Sequence, residues 1–240
     1  MPGIPVSGLE EEFGPMRITI VIPALNEASV LPSTLAAARA LGGDPEIVVV
    51  DGGSSDDTPR IARERGASCV AAPPGRAVAM NRGAALAGGE VLIFVHADTR
   101  LPPDAGRRIA SALAEPDVVG GCFRLSFDSR RRLLSLYAFC TRFGFRLLHY
   151  GDAAYFVRAE VFRRLGGYRE YPLMEDLDLW LRMRCCGRTV VLPSCVVTSA
   201  RRYERRGALR QQALNTALVL LFMLGVHPRR LKRFYAANVR

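Results

Sequence analysis

Several groups of residues in the chain have the types and spacing to do chemistry. The first is His96-Ala97-Asp98, directly after the apolar run Val91-Leu92-Ile93-Phe94-Val95. A hard cation such as Mg2+ or Mn2+ prefers oxygen ligands. It commonly takes only one or two protein carboxylates, with phosphate oxygens filling other positions. Asp98 alone therefore suffices as the protein ligand if a diphosphate supplies the rest. His96 lies two residues earlier, on the same side of an extended chain. Three roles are open to it: metal ligand, partner of a ribose hydroxyl, or a partly buried, hydrogen-bonded histidine.

Asp51 closes the run Glu46-Ile47-Val48-Val49-Val50 and is followed by Gly52-Gly53-Ser54-Ser55. Such a carboxylate can accept hydrogen bonds from a base or ribose lying over the loop, or it can cap the turn. Asn26-Glu27, after Ile22-Pro23, is equally open: Asn26 can shape a turn and Glu27 can support a helix N-terminus. Arg76, behind Pro73-Pro74-Gly75, and Asn81-Arg82-Gly83 lie just upstream of the His96 run. An arginine after a glycine loop is well placed for phosphate, and a solvated surface arginine is the other reading. Last comes Met174-Glu175-Asp176-Leu177-Asp178, three carboxylates at a predicted helix start. If all were buried they would repel one another, raising the pKa of one towards that of a general base. Glu175 and Asp178, at i and i+3, share a helix face, and Asp176 is expected to point elsewhere. The alternative is a set of N-terminal acids favoured by the helix dipole.

These residues need elements to hold them. Residues 17–23, 46–51, 68–71 and 91–95 read as short apolar strands. Helices are expected over about 28–41, 58–65, 77–87 and 104–114, with Gly42-Gly43, Gly66 and Gly88-Gly89 as stops. The order βαβαβαβα implies a mainly parallel sheet with helices on both faces. Ligands on such sheets bind beyond the carboxyl ends of the strands. Asn26, Glu27, Asp51 and Asp98 all fall there, which is the main bottom-up sign of a site. Beyond residue 118 the pattern changes to strand 118–127, helix 133–148, strand 155–157, helix 159–165, helix 175–186 and strand 189–192. Residues 205–237 read as helical and basic, and residues 1–15 as a frayed lead without an apolar core.

Apolar residues make up 49% and charged residues 23% of the 240, a globular composition that excludes disorder as the main state. The formal net charge is +10, and Lys232 is the only lysine. An arginine excess suits nucleic acid, an anionic membrane or a phosphorylated small molecule, and also a merely solvated basic surface. Six cysteines, without C-x-x-C spacing, fit free and mostly buried thiols in a reducing cytoplasm. The apolar run Ala213 to Val226 is too short to span a bilayer comfortably.

Taken in order, these motifs resemble the family 2 glycosyltransferases of the GT-A fold. The matches are Ile22 to Glu27, Val49 to Thr58, Gly75-Arg76-Ala77 with Asn81 and Gly83, Phe94 to Asp98 as a D-x-D-like element, Gly166-Gly167-Tyr168, and Glu175-Asp176. They cover roughly residues 16–200. The chain looks most similar to a short bacterial branch whose metal motif reads H-A-D-T, described as radical-SAM or selenodomain-associated transferases. The resemblance implies an α/β GT-A domain over 16–200, with a nucleotide-sugar half (16–115) and an acceptor half (116–200). It implies inverting transfer from a nucleoside diphosphate sugar to an acceptor hydroxyl, with Mn2+ or Mg2+. By motif, Pro23, Ala24, Asn26, Glu27, Asp51, Gly53, Arg76, Asn81, His96 and Ala97 would bind the donor, and Asp98 the metal. Asp176, with Glu175, would deprotonate the acceptor. His96 replaces the usual first Asp, at a position that in the family tends to face the ribose.

In the C-terminal segment, 201–240, Arg201-Arg202-Tyr203-Glu204-Arg205-Arg206 and Pro228 to Arg233 flank an apolar helix. Two readings are open. The segment lies on an anionic membrane at the inner face of the cell membrane, which suits a lipid or lipid-linked acceptor. Or it is a core helix covering the acceptor side of the sheet. Arginines near residue 201 can also reach a diphosphate. Three rivals to transfer fit the sequence less well. A dinucleotide oxidoreductase lacks its G-x-G-x-x-G between first strand and first helix. A nucleic-acid binder lacks aromatic platforms among its basic residues. A catalytically silent nucleotide- or partner-binding member is opposed by Asp98 and Glu175-Asp176.

Overall fold

The structure is a computed structural model of the chain and describes residues 16–129, 131, 134, 137–139 and 153–239. Strands β1 (Ile18–Ala24), β2 (Glu46–Asp51), β3 (Ser68–Ala71) and β4 (Val91–Phe94) alternate with helices α1 (Leu31–Arg39), α2 (Thr58–Glu64) and α3 (Arg76–Leu86). Then come β5 (Thr99–Arg100), α4 (Ala105–Leu113) and β6 (Val118–Phe127). The later elements are β7 (Tyr155–Arg158), α5 (Ala159–Arg164), α6 (Glu175–Met183), β8 (Arg188–Thr198), α7 (Arg201–Arg206), α8 (Ala208–Met223) and α9 (Pro228–Val239).

The eight strands form one sheet in the order β3-β2-β1-β4-β7-β6-β8-β5. The β3-β2-β1-β4 block is parallel, β7 runs antiparallel between β4 and β6, and β8 lies parallel to β6. This is the expected α/β architecture. Alternation along β1 sends Ile20 and Ile22 to one face, with Leu31 and Leu35 of α1 and Ile109 of α4. It sends Val21 to the other face, with Met80 of α3, Phe162 of α5 and Met183 of α6. Residues 91–94 are buried throughout, as a strand covered on both faces should be.

Several expected boundaries shift for identifiable reasons. The first helix begins at Leu31, not Ala28, because the Ala28 N–H donates to Asp56 Oδ2 (3.1 Å) and Pro32 takes the first turn. The sixth helix ends at Met183 rather than Cys186. The last strand runs to Thr198, not Leu192. Its register against β6 shifts between Phe123 and Arg124, so Pro193 and Ser194 are passed over and pairing resumes at Cys195. The expected single C-terminal helix is three, broken at Gly207 (φ 81°) and Gly225 (φ 85°). The expected helix 133–148 lies largely outside the described residues; Leu134 and Tyr137–Phe139 are helical. The described cysteines are free as expected, but mostly not buried. Only Cys122 is, while Cys185 and Cys195 are exposed because they sit on a helix end and beyond the β8 bulge.

A third cluster joins Cys122, Tyr155, Met174, Leu177 and Trp180 to Leu218 and Val219 of α8 and Leu231 of α9. Helices α8 and α9 thus pack onto the core beside β6, β7 and α6, as the core-helix reading requires. Their outer faces still expose Leu209, Leu220, Met223, Leu224 and Phe234. No helix among the described residues is long and apolar enough to cross a membrane.

The close approach of α3 to the sheet rests on Gly83. A Cβ there would collide with Val21 Cγ1 and stand 3.0 Å from Val50 Cγ2. Both valines are stiff and fully packed. Gly83→Ala is therefore expected to destabilise the fold by about 1–2 kcal/mol, overpacking exceeding the gain in helix propensity. Urea unfolding measures this; an unchanged midpoint would mean that α3 does not depend on that approach.

Candidate active site

The strand order places a crevice between the carboxyl ends of β1 and β4, where successive connections leave in opposite directions. A cavity of about 240 Å³ lies there, lined by Pro23, Ala24, Glu27, Arg76, His96, Ala97 and Asp98, together with Leu25, Gly52, Pro74, Gly75 and Ala79. Seven residues assigned to donor or metal from the sequence are thus brought together. Asn26, Asp51, Gly53 and Asn81 do not line it.

Those four hold the walls instead. Asn26 adopts φ 55°, a region open to Asn. Its Oδ1 accepts from the Ser55 N–H (2.8 Å), and its own N–H donates to Ser54 Oγ (2.9 Å). Asp51 is buried, and its carboxylate accepts from the N–H groups of Gly53 (3.2 Å) and Ser54 (3.1 Å). The Glu27 N–H donates to Thr58 Oγ1 (2.8 Å), and the Thr58 hydroxyl donates to Asp56 (2.5 Å), holding that carboxyl below its usual range. The loops after β1 and β2 are therefore sewn into one platform. Asn81 is farther away. Its amide pairs with both backbone groups of Tyr168, donating to the carbonyl and accepting from the N–H, each at 2.8 Å. It ties α3 to the Gly166-Gly167 turn.

Arg76 opens α3 and reaches across to α6. Its Nε donates to Glu175 Oε1, its Nη2 lies 3.2 Å from Asp176 Oδ2, and its Nη1 is 3.4 Å from His96 Nε2. Glu175 and Asp176 are 2% and 3% exposed, so an arginine countercharge is what makes their burial tolerable. The expected facing of this helix start is reversed. Glu175 and Asp176 converge on Arg76, while Asp178 turns to Arg169 (3.0 Å) and Arg182 (2.7 Å). Dividing three buried acids between separate arginines relieves the repulsion that would arise if they shared one pocket. His96 faces this group, with Nε2 4.0 Å from Asp176 Oδ2.

The fourth actor is Arg201, at the start of α7. One nitrogen, Nη2, contacts both Glu27 Oε2 (2.8 Å) and Asp98 Oδ2 (3.1 Å). Its pKa is raised, first by the Glu27 hydrogen bond. Two carboxylates meeting one cationic atom fit a divalent cation. Among the described residues no group of three or more His, Cys, Asp or Glu is placed to hold a metal ion, so a cation here would need further ligands, which the oxygens of a bound phosphate can supply.

Beside Glu175 and Asp176 opens a second cavity of about 530 Å³, walled by Tyr137, Tyr171, Tyr203 and Tyr235 with Leu218, Gln211, Asn215 and Lys232. Pro74, Gly75 and Arg76 belong to the walls of both cavities. Sequence reasoning passed over these tyrosines, since they are spread over nearly a hundred residues and no local signal links them. It also missed the Tyr168 hydroxyl. That group is buried and its pKa lies well above the usual value, first from burial and then from Asp176, so it remains a neutral O–H donor.

Comparison with known proteins shows the family. The model of glycosyl transferase family 2 matches residues 19–166. A PGL/p-HBAD biosynthesis glycosyltransferase of Mycobacterium tuberculosis is 32% identical over 217 residues, 80% of this chain and 78% of that one. A glucosyl-3-phosphoglycerate synthase of the same species is 31% identical over 108 residues, 40% of this chain and 33% of that one. Its solved structure, in complex with Mn2+, UDP and glucosyl-3-phosphoglycerate, superposes with TM-score 0.63 at 21% identity, covering 95% of this chain and 85% of that one. The mannosyltransferase PcManGT of Pyrobaculum calidifontis, in complex with GDP-Man and Mn2+, gives 0.61 at 22% identity, covering 85% of this chain and 64% of that one. This chain thus spans just under two thirds of that mannosyltransferase. The solved structures support the GT-A fold. The family match, with the relative that aligns over most of both chains, establishes that the protein belongs to glycosyl transferase family 2 and is a glycosyltransferase.

Proposed function

We propose that the enzyme is an inverting transferase moving a sugar from a nucleoside diphosphate sugar to an acceptor hydroxyl. The observation that carries this reading is Arg76, whose side chain lies in the wall between a cavity at the strand ends and a cavity beside two buried carboxylates. Pro23, Ala24 and Ala97 give the first cavity its apolar floor, and exposed Leu25 offers a flat surface to a base. Asn26, Asp51 and Gly53 act on the donor through the loop platform they hold. His96 serves the ribose, and Asn81 serves the site by fixing Tyr168. Asp98, joined by Glu27, would hold Mn2+ or Mg2+. The metal would neutralise charge on the departing diphosphate. The N-terminus of α3, opened by Gly75 and Arg76, adds backbone donors to the same anion.

In the second cavity Asp176 takes the acceptor proton as its oxygen attacks the anomeric carbon from the face opposite the diphosphate. Glu175 fixes Arg76, and Arg76 stands beside Asp176 as its countercharge. A cavity of tyrosine rings and leucine with a few polar groups suits an amphipathic acceptor, lipid or lipid-linked. The exposed apolar residues of α8 and α9 lie among Arg210, Arg229, Arg230 and Arg233, all exposed, which suits peripheral attachment to an anionic membrane at the inner face of the cell membrane. The His96-Ala97-Asp98-Thr99 motif supports membership of the short bacterial branch associated with radical-SAM or selenodomain proteins.

Incubation with UDP-, GDP- and dTDP-sugars and Mn2+ should release nucleoside diphosphate with one of them. Metal-dependent binding without turnover would instead indicate a silent nucleotide-binding member. Asp176→Asn should lower transfer by about 10²–10⁴-fold while leaving nucleotide affinity nearly unchanged; an active variant would move the proton-accepting role to Glu175. Arg76→Met leaves two buried acids without their countercharge. Thermal unfolding should register a loss of about 3–5 kcal/mol, and a loss below about 1 kcal/mol would contradict this placement. Anionic liposomes should retain the protein at low salt and release it at high salt; absence of binding at any salt would remove the membrane reading.

A further inference from the structure

Arg201 fits neither of the two cavities as an ordinary lining residue. Its backbone is held firmly: the Ala200 N–H donates to Asp128 Oδ1 (2.7 Å) and the Arg201 N–H to Ser199 Oγ (3.3 Å). Its guanidinium meets two residues that line the strand-end crevice, and one nitrogen joins Glu27 to Asp98, from the loops after β1 and β4. Without a cation between them these two carboxylates would repel. A guanidinium keeps its charge at every accessible pH, so it leaves such a position only when a competitor takes the oxygens. A diphosphate is the partner a planar fork of donors fits better than a pair of single carboxylate oxygens.

Building on the metal and donor assignments above, we propose that Arg201 is a resident counter-ion. In the donor-free enzyme it fills the cation position between Glu27 and Asp98. When a metal–nucleoside diphosphate complex arrives, Asp98 passes to the metal and Arg201 passes to the diphosphate. Metal alone must displace a fixed positive charge without offering it a new partner, and so binds weakly. Metal and diphosphate together supply both halves of the exchange. The device couples the two ligands and keeps a lone cation from occupying the site. Ser199 and Tyr203, two residues to either side of Arg201, line the tyrosine cavity.

The test is Mn2+ binding to the full-length protein, read by the electron paramagnetic resonance of free Mn2+, with and without UDP. Wild type should bind Mn2+ alone weakly and gain about tenfold or more in affinity when UDP is present. Arg201→Met should bind Mn2+ alone about tenfold more tightly than wild type, and UDP should add little. Arg201→Gln carries the same expectation, so the test survives misfolding of either variant. Equal binding of Mn2+ alone to wild type and to a folded variant, or equal enhancement by UDP, overturns the proposal and leaves the metal assignment standing. The double variant Asp98→Asn, Arg201→Met should lose the tight site. If it keeps that site, the metal lies elsewhere and the donor reading itself fails.

Discussion

The arrangement of this enzyme turns on one arginine placed between two buried carboxylates. Glu175 and Asp176 begin a helix, where the dipole favours acids, but burial to 2% and 3% exposure would cost several kcal/mol per charge if nothing answered them. Arg76 answers both. It does so from the first turn of α3, the helix that Gly83 lets settle onto β1 and β2 and that Asn81 fastens to the Tyr168 turn. The ion pair is therefore also the joint between the parallel half of the sheet and the half that follows β6. The residue that supplies the acids' countercharge is the same residue that lies between the two cavities. In the proposed reaction the donor phosphate and the accepting base share a single organiser.

A second arginine closes the other side of the crevice. Arg201 stands to Glu27 and Asp98 as Arg76 stands to Glu175 and Asp176, one guanidinium to two acids, but Glu27 and Asp98 come from separate loops whereas Glu175 and Asp176 share one helix. The settings differ. The Glu175 and Asp176 carboxylates are buried, and Arg76 reaches them from a partly exposed position. The Glu27–Asp98 pair is more exposed, and Arg201 itself is 40% exposed. An exposed ion pair contributes little to stability and is readily exchanged for a better partner. Stability thus resides in one cluster, and exchange in the other.

Much of this was legible in the sequence because it is local. Apolar runs ending in Pro23, Asp51 and the His96 motif place strand ends, and strand ends of a parallel sheet place a crevice. The loss of Pro193-Ser194 from the pairing was not legible, since turn-forming residues inside a strand look like its end until the partner strand is known. The direction of the acids in α6 was misread for a similar reason. Helical spacing groups Glu175 with Asp178, but the choice was made by Arg76, ninety-nine positions away, and by Arg169 and Arg182. Asn26 and Asp51 have the right types for a nucleotide and the right positions, yet their side chains are engaged by the backbone of the adjoining loop. The tyrosine cavity was invisible because it is assembled from segments that meet only after α8 and α9 fold back.

The most direct test of the account is a crystal structure of the protein with Mn2+ and a nucleoside diphosphate, using anomalous scattering to place the metal. The account predicts the Mn2+ peak at the Asp98 carboxylate, the diphosphate between Arg76 and the β1–β4 crevice, and the Arg201 guanidinium moved from Asp98 onto phosphate. A metal peak away from Asp98, or a nucleotide bound outside that crevice, would contradict it.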